Sequence, residues 1–98
     1  MTEQATLSRE AVIAQGEGQV STFVDDKAVL MSVDNGKYYS LDDIGSRIWA
    51  LIESPTSVGA VCDQLTQEFE VERATCEADV LALLNKLLGY DLIRVVPS

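Results

Sequence analysis

Histidine is absent from this 98-residue chain, and cysteine occurs only twice. Without histidine, a serine or cysteine nucleophile lacks its usual base, which argues against the familiar triads of nucleophilic catalysis. Cys62 and Cys76 are too few and too isolated for a disulfide framework or a zinc site. We therefore expect two small buried thiols, no metal site, no cofactor and no enzymatic activity.

Basic side chains are also scarce. Seven lysines and arginines stand against sixteen acids, so the formal net charge is −9. The seven are scattered, whereas nucleic-acid binding needs clustered bases that neutralise phosphates. The acids also repel anionic lipid headgroups, and no apolar run is long enough to span a bilayer. The sequence predicts a cytoplasmic protein with neutral or basic partners, and neither nucleic acid nor membrane among them.

The length of the chain suits one small domain with a single modest core. We expect a flexible tail at residues 1–10 and one domain at residues 11–98. Strand patterns fill the first half of this domain. After a short extended piece at 11–15, alternating or β-rich runs predict strands at 19–24, 28–33 and 37–41.

Two turn signals separate the three longer strands, "DDK" (25–27) and "DNG" (34–36). The Asn-Gly pair tolerates the positive φ of a type I′ or bulged hairpin turn. Three runs joined in this way make an antiparallel meander, and its third strand keeps an open edge. Tyr38 and Tyr39 on that strand point to opposite faces, and the pattern does not distinguish which one faces the interior.

The second half of the chain predicts three helices. Asp42 can cap the first helix, and "SPTS" (54–57) ends it and caps the second. After "EVERAT" (70–75) comes the third helix, and "YDLIRVV" (90–96) closes the domain as an extended piece. The predicted fold is α+β and winged helix-turn-helix-like, a three-stranded antiparallel meander followed by three α-helices.

The third helix carries an unusually wide apolar face. Its apolar residues cover an arc of roughly 160° at 100° per residue, where a surface helix needs about 100° or a little more. Either the sheet grips this helix from both sides or the surplus flank lines a groove. The residues of the arc are Val80, Leu81, Leu83, Leu84, Leu87 and Leu88.

Adjacent acids are the remaining candidates for acid–base chemistry. Asp25–Asp26 and Asp42–Asp43 lie where turns and helix caps by themselves select aspartate, so we interpret both pairs as structural. The winged-helix outline also raises DNA binding. Helices two and three, however, present mostly acids where a recognition helix needs arginine, lysine, asparagine or glutamine. A winged-helix DNA-binding regulator is therefore the less favoured alternative.

Peptide binding fits the remaining features. An open strand edge can pair with an extended guest segment, and an apolar helix flank beside it can supply side-chain pockets. The order of three segments, "GKYYSLDDIGSRIWALI" (36–52), "VGAVCDQLTQEFEV" (58–71) and "ADVLALLNKLLGYDLI" (78–93), resembles the PqqD-like recognition elements of ribosomally made peptides. Among these the chain is most similar to the small leader-binding proteins of lasso-peptide biosynthesis.

The resemblance implies a non-enzymatic module that binds the leader of a precursor peptide as an added strand. Its implied partners are that leader, a separate cysteine protease of transglutaminase-like fold and an ATP-dependent macrolactam synthetase. An alternative within the same class is a PqqD-like chaperone for a radical SAM peptide-modifying enzyme. The sequence does not specify the leader, the partner enzyme or the oligomeric state.

Transferred to this chain, the resemblance implies a binding strand and a binding helix face. Two positions depart from the family pattern: Asp42 stands where Asn usually caps the helix, and Asp91 stands where Gly is common at the exit of helix three. The second departure leaves the geometry of that exit open. The implied site residues are Lys37, Tyr38, Tyr39, Ser40 and Leu41 on the strand and Asp79, Val80, Leu83, Leu84, Lys86 and Leu87 on the helix.

Overall fold

A computed structural model describes residues 7–97 of the protein. The strands are β1 (Val12–Gln15), β2 (Gln19–Val24), β3 (Lys27–Ser32), β4 (Tyr38–Ser40), β5 (Thr56–Ser57) and β6 (Ile93–Val96). The helices are α1 (Asp43–Leu51), α2 (Val58–Glu68) and α3 (Arg73–Gly89). The predicted α+β class is confirmed, with the meander β2-β3-β4 preceding the three helices.

The predicted tail at residues 1–10 falls mostly outside the described residues, which begin at Leu7. Leu7 itself is buried with the core. The carbonyl of Arg9 accepts a hydrogen bond of 2.9 Å from the backbone N–H of Gly59, at the start of α2. The packed part of the chain therefore includes residues that precede the predicted domain boundary.

The hairpin turns explain two of the sequence signals. Asp25 and Asp26 have φ angles of 53° and 67°, so β2 and β3 are joined by a two-residue turn with positive φ at both positions. This geometry matches the twist of a hairpin, and aspartate tolerates it better than most residues do. Gly36 has a φ of 70° in the longer loop between β3 and β4. The acidic doublet is thus a turn.

A second sheet, with the order β5-β1-β6, was not predicted. Its strands β1 and β6 coincide with the two segments that the sequence marks as extended, but their antiparallel pairing joins Val12 to Val96 and Gln15 to Ile93. Local patterns carry no information on such distant partners. This sheet closes the domain behind the helices, and its strands bury Ile13 and Ile93.

Hydrogen bonds hold the start of helix α1 against the meander. The carboxylate of Asp42 accepts a hydrogen bond of 2.7 Å from the backbone N–H of Gly45, which confirms the predicted cap. The hydroxyl of the buried Ser46 accepts from the backbone N–H of Ala28 at 2.7 Å and donates to the carbonyl of Leu41 at 3.3 Å. These bonds position the first turn of α1 against the end of β4.

The core lies between the helices and the inner faces of the sheets. Trp49 and Leu65 are almost completely buried there, as are the two cysteines. Burial and the neighbouring Cys76 thiol raise the pKa of the Cys62 thiol to about 11. The prediction of two buried free thiols is confirmed.

Helix α3 ends in a well-formed C-terminal motif. Asp91 adopts the left-handed conformation with a φ of 61°. The backbone N–H of Leu92 donates to the carbonyl of Leu87, and that of Asp91 donates to the carbonyl of Leu88, both at 3.0 Å. This is the pattern of a Schellman motif, in which glycine usually holds the left-handed position. The exit therefore has the backbone geometry of a glycine exit although the residue is aspartate.

Candidate functional site

The first part of the site is the free edge of β4. Within the described residues β4 pairs only with β3. Two backbone hydrogen bonds at the ends of β4 show which of its residues face β3. The N–H of Ser32 donates to the carbonyl of Lys37, and the N–H of Leu41 donates to the carbonyl of Ala28. Because hydrogen-bonding groups alternate along an antiparallel strand, the N–H and C=O of Tyr38 and Ser40 point to the open side.

The second part is a cleft of about 370 Å³ beside that edge. We call it the strand cleft. Tyr39 bounds it and stacks on Tyr90, with ring centroids 4.6 Å apart and an angle of 23° between the rings. The strand cleft is lined by Tyr39, Ser40, Leu41, Asp42 and Gly45 on one side and by Leu83, Lys86, Leu87 and Tyr90 on the other.

The third part is an apolar pocket of about 230 Å³ between the start of α1, the end of α2 and the first half of α3. The apolar pocket and the strand cleft share Asp42, Gly45 and Leu83, so they form one continuous groove. At Gly45 a Cβ atom would lie 3.4 Å from Leu83 Cδ2 and 3.2 Å from Leu41 Cβ. The remaining lining residues are Ile44, Ile48, Leu65, Phe69, Val71, Cys76, Asp79 and Val80.

Charge is distributed unevenly along the groove. Asp79 lines the apolar pocket, Asp42 lies where the two parts meet, and Lys86 lines the strand cleft. A guest would therefore find acids near one end and a base near the other, in a surrounding surface that is strongly acidic. Among residues 7–97 there is no cluster of three side chains suited to a metal ion.

The structure assembles most of the predicted site residues around this groove. Tyr39, Ser40, Leu41, Leu83, Lys86 and Leu87 line the strand cleft, and Asp79, Val80 and Leu83 line the apolar pocket.

Three predicted residues lie elsewhere. Lys37 is in the loop before β4, Tyr38 is 71% exposed and points away from the helices, and Leu84 is fully buried beneath the groove and lines neither part. Leu84 lies near the middle of the apolar arc and packs in the core. Leu83 lies on the flank of the arc and lines the groove.

Several lining residues were missed by the sequence reasoning. Tyr90 follows Lys86 by four positions and Leu87 by three, a helical spacing that could have placed it on the same face. Gly45 and Phe69 gave no comparable signal, because their position depends on how three helices meet. The question of which tyrosine faces the helices is answered by the stack of Tyr39 on Tyr90.

An open strand edge beside an apolar groove, on a meander followed by three helices, defines the class as an α+β domain of winged-helix type with a groove suited to an extended guest. The family model of coenzyme PQQ synthesis protein D (PqqD) matches residues 27–93, and the chain belongs to this family. The predicted resemblance to PqqD-like recognition elements is confirmed.

The chain is also similar to solved structures of leader-peptide complexes. The chain is similar to TbiB1 in complex with the TbiA(beta) leader peptide, with 32% identity over 87% of this chain and 99% of that one and a TM-score of 0.79. It is also similar to a lasso peptide synthetase B1 complexed with the leader peptide, with 27% identity over 87% and 98% of the two chains and a TM-score of 0.75.

A third structure, the PqqD truncation of PqqCD from Methylobacterium extorquens, described as a stand-alone RiPP recognition element, shares the fold. The identity is 24% over 93% of this chain and 96% of that one, with a TM-score of 0.76. No curated protein matches the chain. Within the described residues no helix is both long enough and apolar enough to cross a bilayer.

Proposed function

We propose that the protein binds the leader segment of a ribosomally made precursor peptide as a strand added to the free edge of β4. The observation that carries this proposal is the open backbone of Tyr38 and Ser40 directly beside the groove. Up to four backbone hydrogen bonds from these two residues set the register of the guest. Alternate guest side chains then enter the strand cleft, and the apolar pocket accommodates a further apolar side chain.

The protein acts without catalysis, in the cytoplasm, and delivers the leader to processing enzymes of lasso-peptide biosynthesis, a natural-product pathway. These enzymes are a leader protease of transglutaminase-like fold and an ATP-dependent macrolactam synthetase. The similarity to TbiB1 and to a lasso peptide synthetase B1, both in complex with leader peptides, supports this assignment. The site comprises the open backbone of Tyr38 and Ser40 and the predicted residues that line the groove, with Gly45 and Tyr90 added.

A second candidate is a PqqD-like chaperone for a radical SAM enzyme that modifies a different peptide. The match to the family model of coenzyme PQQ synthesis protein D favours it. The two candidates use the same groove and differ in the leader that they bind. Parallel titrations with a lasso leader and with a radical SAM substrate leader, each encoded beside this gene where present, distinguish them.

Fluorescence anisotropy with the labelled lasso leader tests the proposal. Leu83→Glu places a charge at the junction of the strand cleft and the apolar pocket, and we expect it to weaken binding at least tenfold. Leu81→Glu is the matched control, because Leu81 is also a partly buried leucine of α3 but lines neither part of the groove. Circular dichroism melts check that both variants fold. Absence of binding by the wild-type protein, or equal losses in both variants, contradicts the proposal.

A further inference from the structure

The face of the meander that points away from the helices carries a cluster of apolar side chains. Val20, Met31 and Tyr38 are direct neighbours in register across the three strands, and Val29 lies beside them on β3. Val20, Val24 and Tyr38 are 56%, 55% and 71% exposed, while Ala28 and Leu30 on the opposite face are completely buried. We call the apolar residues of this face, Val20, Val24, Val29, Met31 and Tyr38, the outer face. Thr22 lies between Val20 and Val24 on it, and Lys27 lies opposite Val24.

The outer face groups part of the exposed apolar surface of the chain. Three of the eight large apolar side chains that are exposed among the described residues belong to it. Val33, which is 57% exposed, follows β3 immediately. Exposed apolar side chains grouped on one face mark interaction sites more often than single exposed residues do.

The outer face is continuous with the binding edge. A guest strand on β4 would become the fourth strand of the sheet, and its alternate side chains would point to the outer face in line with Tyr38 and Ser40. The groove on the inner side is then filled by the guest. An enzyme that takes over the peptide while it is still bound must therefore approach another surface, and the outer face is adjacent to the guest.

Charge at the ends of the strands limits the chemistry of the partner. Asp25 and Asp26 occupy the turn at one end, and Asp34 lies in the loop at the other. Lys27 contributes a base at the first end but forms an ion pair of 3.9 Å with Asp43, and Lys37 contributes one at the second. With a net charge of −9, the chain attracts a partner whose apolar patch is surrounded by lysine or arginine.

We propose that the outer face is the docking surface for the leader protease that acts on the delivered peptide, and that this protease presents an apolar patch with a basic rim. This inference rests on the proposed function. Three strands spaced about 4.8 Å apart, of six, six and three residues at about 3.3 Å per residue, cover at most roughly 14 by 20 Å. A stable interface needs about 800 Å² per partner, so the contact is transient and gains area when the guest strand is bound.

The test uses the leader protease encoded beside this gene as the probe. Val20→Glu introduces a charge near the start of β2, opposite Met31 and away from the groove. Val95→Glu is the matched control, because Val95 is a 44% exposed valine on β6, in the other sheet. Val24→Glu gives a second variant of the outer face. Circular dichroism melts check folding, anisotropy gives the leader Kd, and precursor cleavage gives the enzyme readout.

We expect Val20→Glu and Val24→Glu to bind the leader within twofold of wild type but to lower protease binding and leader cleavage at least tenfold. Val95→Glu should match wild type in every readout, and wild type should bind the protease more tightly with leader than without.

Precursor cleavage by the protease at the wild-type rate in the presence of the folded outer-face variants overturns the inference, as does an equal loss with Val95→Glu. A wild-type dimer in light scattering that Val20→Glu dissolves also overturns it, since the occupant is then a second copy. Absence of leader binding by the wild-type protein overturns the proposed function itself. Normal leader binding by the variants, with unchanged precursor cleavage by the protease in their presence, overturns only the docking surface.

Discussion

At the scale of single residues, Asp91 shows how a departure from a family pattern can leave the backbone unchanged. It occupies a left-handed position at the exit of α3, with a φ of 61°. Aspartate tolerates this conformation at some cost, and glycine does so without a steric penalty. The exit also positions Tyr90, which stacks on Tyr39 at the strand cleft. A single residue outside the groove therefore supports one wall of it.

We expect Asp91→Gly to raise the free energy of unfolding by about 0.5–1 kcal/mol, because it removes the steric penalty of the left-handed position. Asp34→Gly is the control, since Asp34 is an exposed loop aspartate without positive φ and glycine there only adds freedom to the unfolded chain. Urea denaturation of the two variants and wild type measures the difference. A loss of stability in Asp91→Gly similar to that in Asp34→Gly would contradict this explanation.

At the scale of elements, β4 has two edges with different roles. One edge is paired with β3 through the backbone of Lys37, Tyr39 and Leu41, and the other offers Tyr38 and Ser40. The two sides of this short strand can therefore be tested separately.

Ser40→Pro should remove one donor of the open edge and leave the pairing with β3 intact, because proline is tolerated on edge strands. An unpaired guest carbonyl costs about 1–3 kcal/mol, so we expect leader affinity to fall about tenfold or more. Ser40→Ala keeps the N–H and should bind within threefold of wild type. Anisotropy titrations with both variants decide the matter, and equal affinities would exclude backbone pairing at this position.

Helices α1 and α2 are joined by an ion pair that makes stability depend on pH. Arg47 Nε and Nη2 donate to the two carboxylate oxygens of Glu68 at 2.8 and 2.7 Å. Hydrogen bonds from Arg47 and Gln64 lower the pKa of Glu68 to about 2. A lowered carboxyl pKa contributes stability above the pKa of the unfolded chain, about 4.3, and this stability is lost as the pH falls towards 2.

We expect the melting temperature of wild type to fall more between pH 6 and pH 3 than that of Glu68→Gln. The difference should shrink at high salt, because the pair is exposed and screened. Glu70→Gln, an exposed acid close by, serves as the control and should follow wild type. Thermal melts at the two pH values give the result, and parallel curves for wild type and Glu68→Gln would contradict the role of the pair.

The sequence was sufficient for those elements whose cause is local. The turn residues Asp25 and Gly36 and the cap Asp42 act on their immediate neighbours, so the meander and the start of α1 could be predicted within one or two residues. The pairing of β1 with β6 could not, because their partners are about eighty residues apart and no periodicity encodes distant pairing.

For the site too, the features with a local cause could be predicted and those that depend on distant parts of the chain could not. The open edge and the wide face of α3 are properties of single elements, and they led to Tyr39 and Leu83. The apolar pocket depends on the convergence of three helices, so Phe69 and Gly45 were missed. Leu84 was predicted as a site residue but is buried in the core. Helical periodicity identifies the apolar face of α3, but it does not distinguish the residues of that face that pack in the core from those that line the groove.

At the scale of the whole molecule, the net charge of −9 should act on the rate and strength of association. We expect affinity for a leader with basic residues to weaken roughly threefold as NaCl rises from 0.1 to 1 M, because the screening length falls from about 10 to about 3 Å. A leader with its lysines and arginines replaced by glutamine is the control and should show little dependence. Anisotropy at several salt concentrations measures both, and a flat profile for the basic leader would show that the groove alone determines affinity.

The antiparallel pairing of β1 with β6 also affects the order in which the chain can fold during synthesis. Residues 12–15 emerge from the ribosome long before residues 93–96. Strand β1 therefore cannot pair with β6 until nearly the whole domain has emerged. The meander pairs strands that follow one another directly in the chain, so it can form earlier. The open edge of β4 can therefore form before the strand pair that closes the domain.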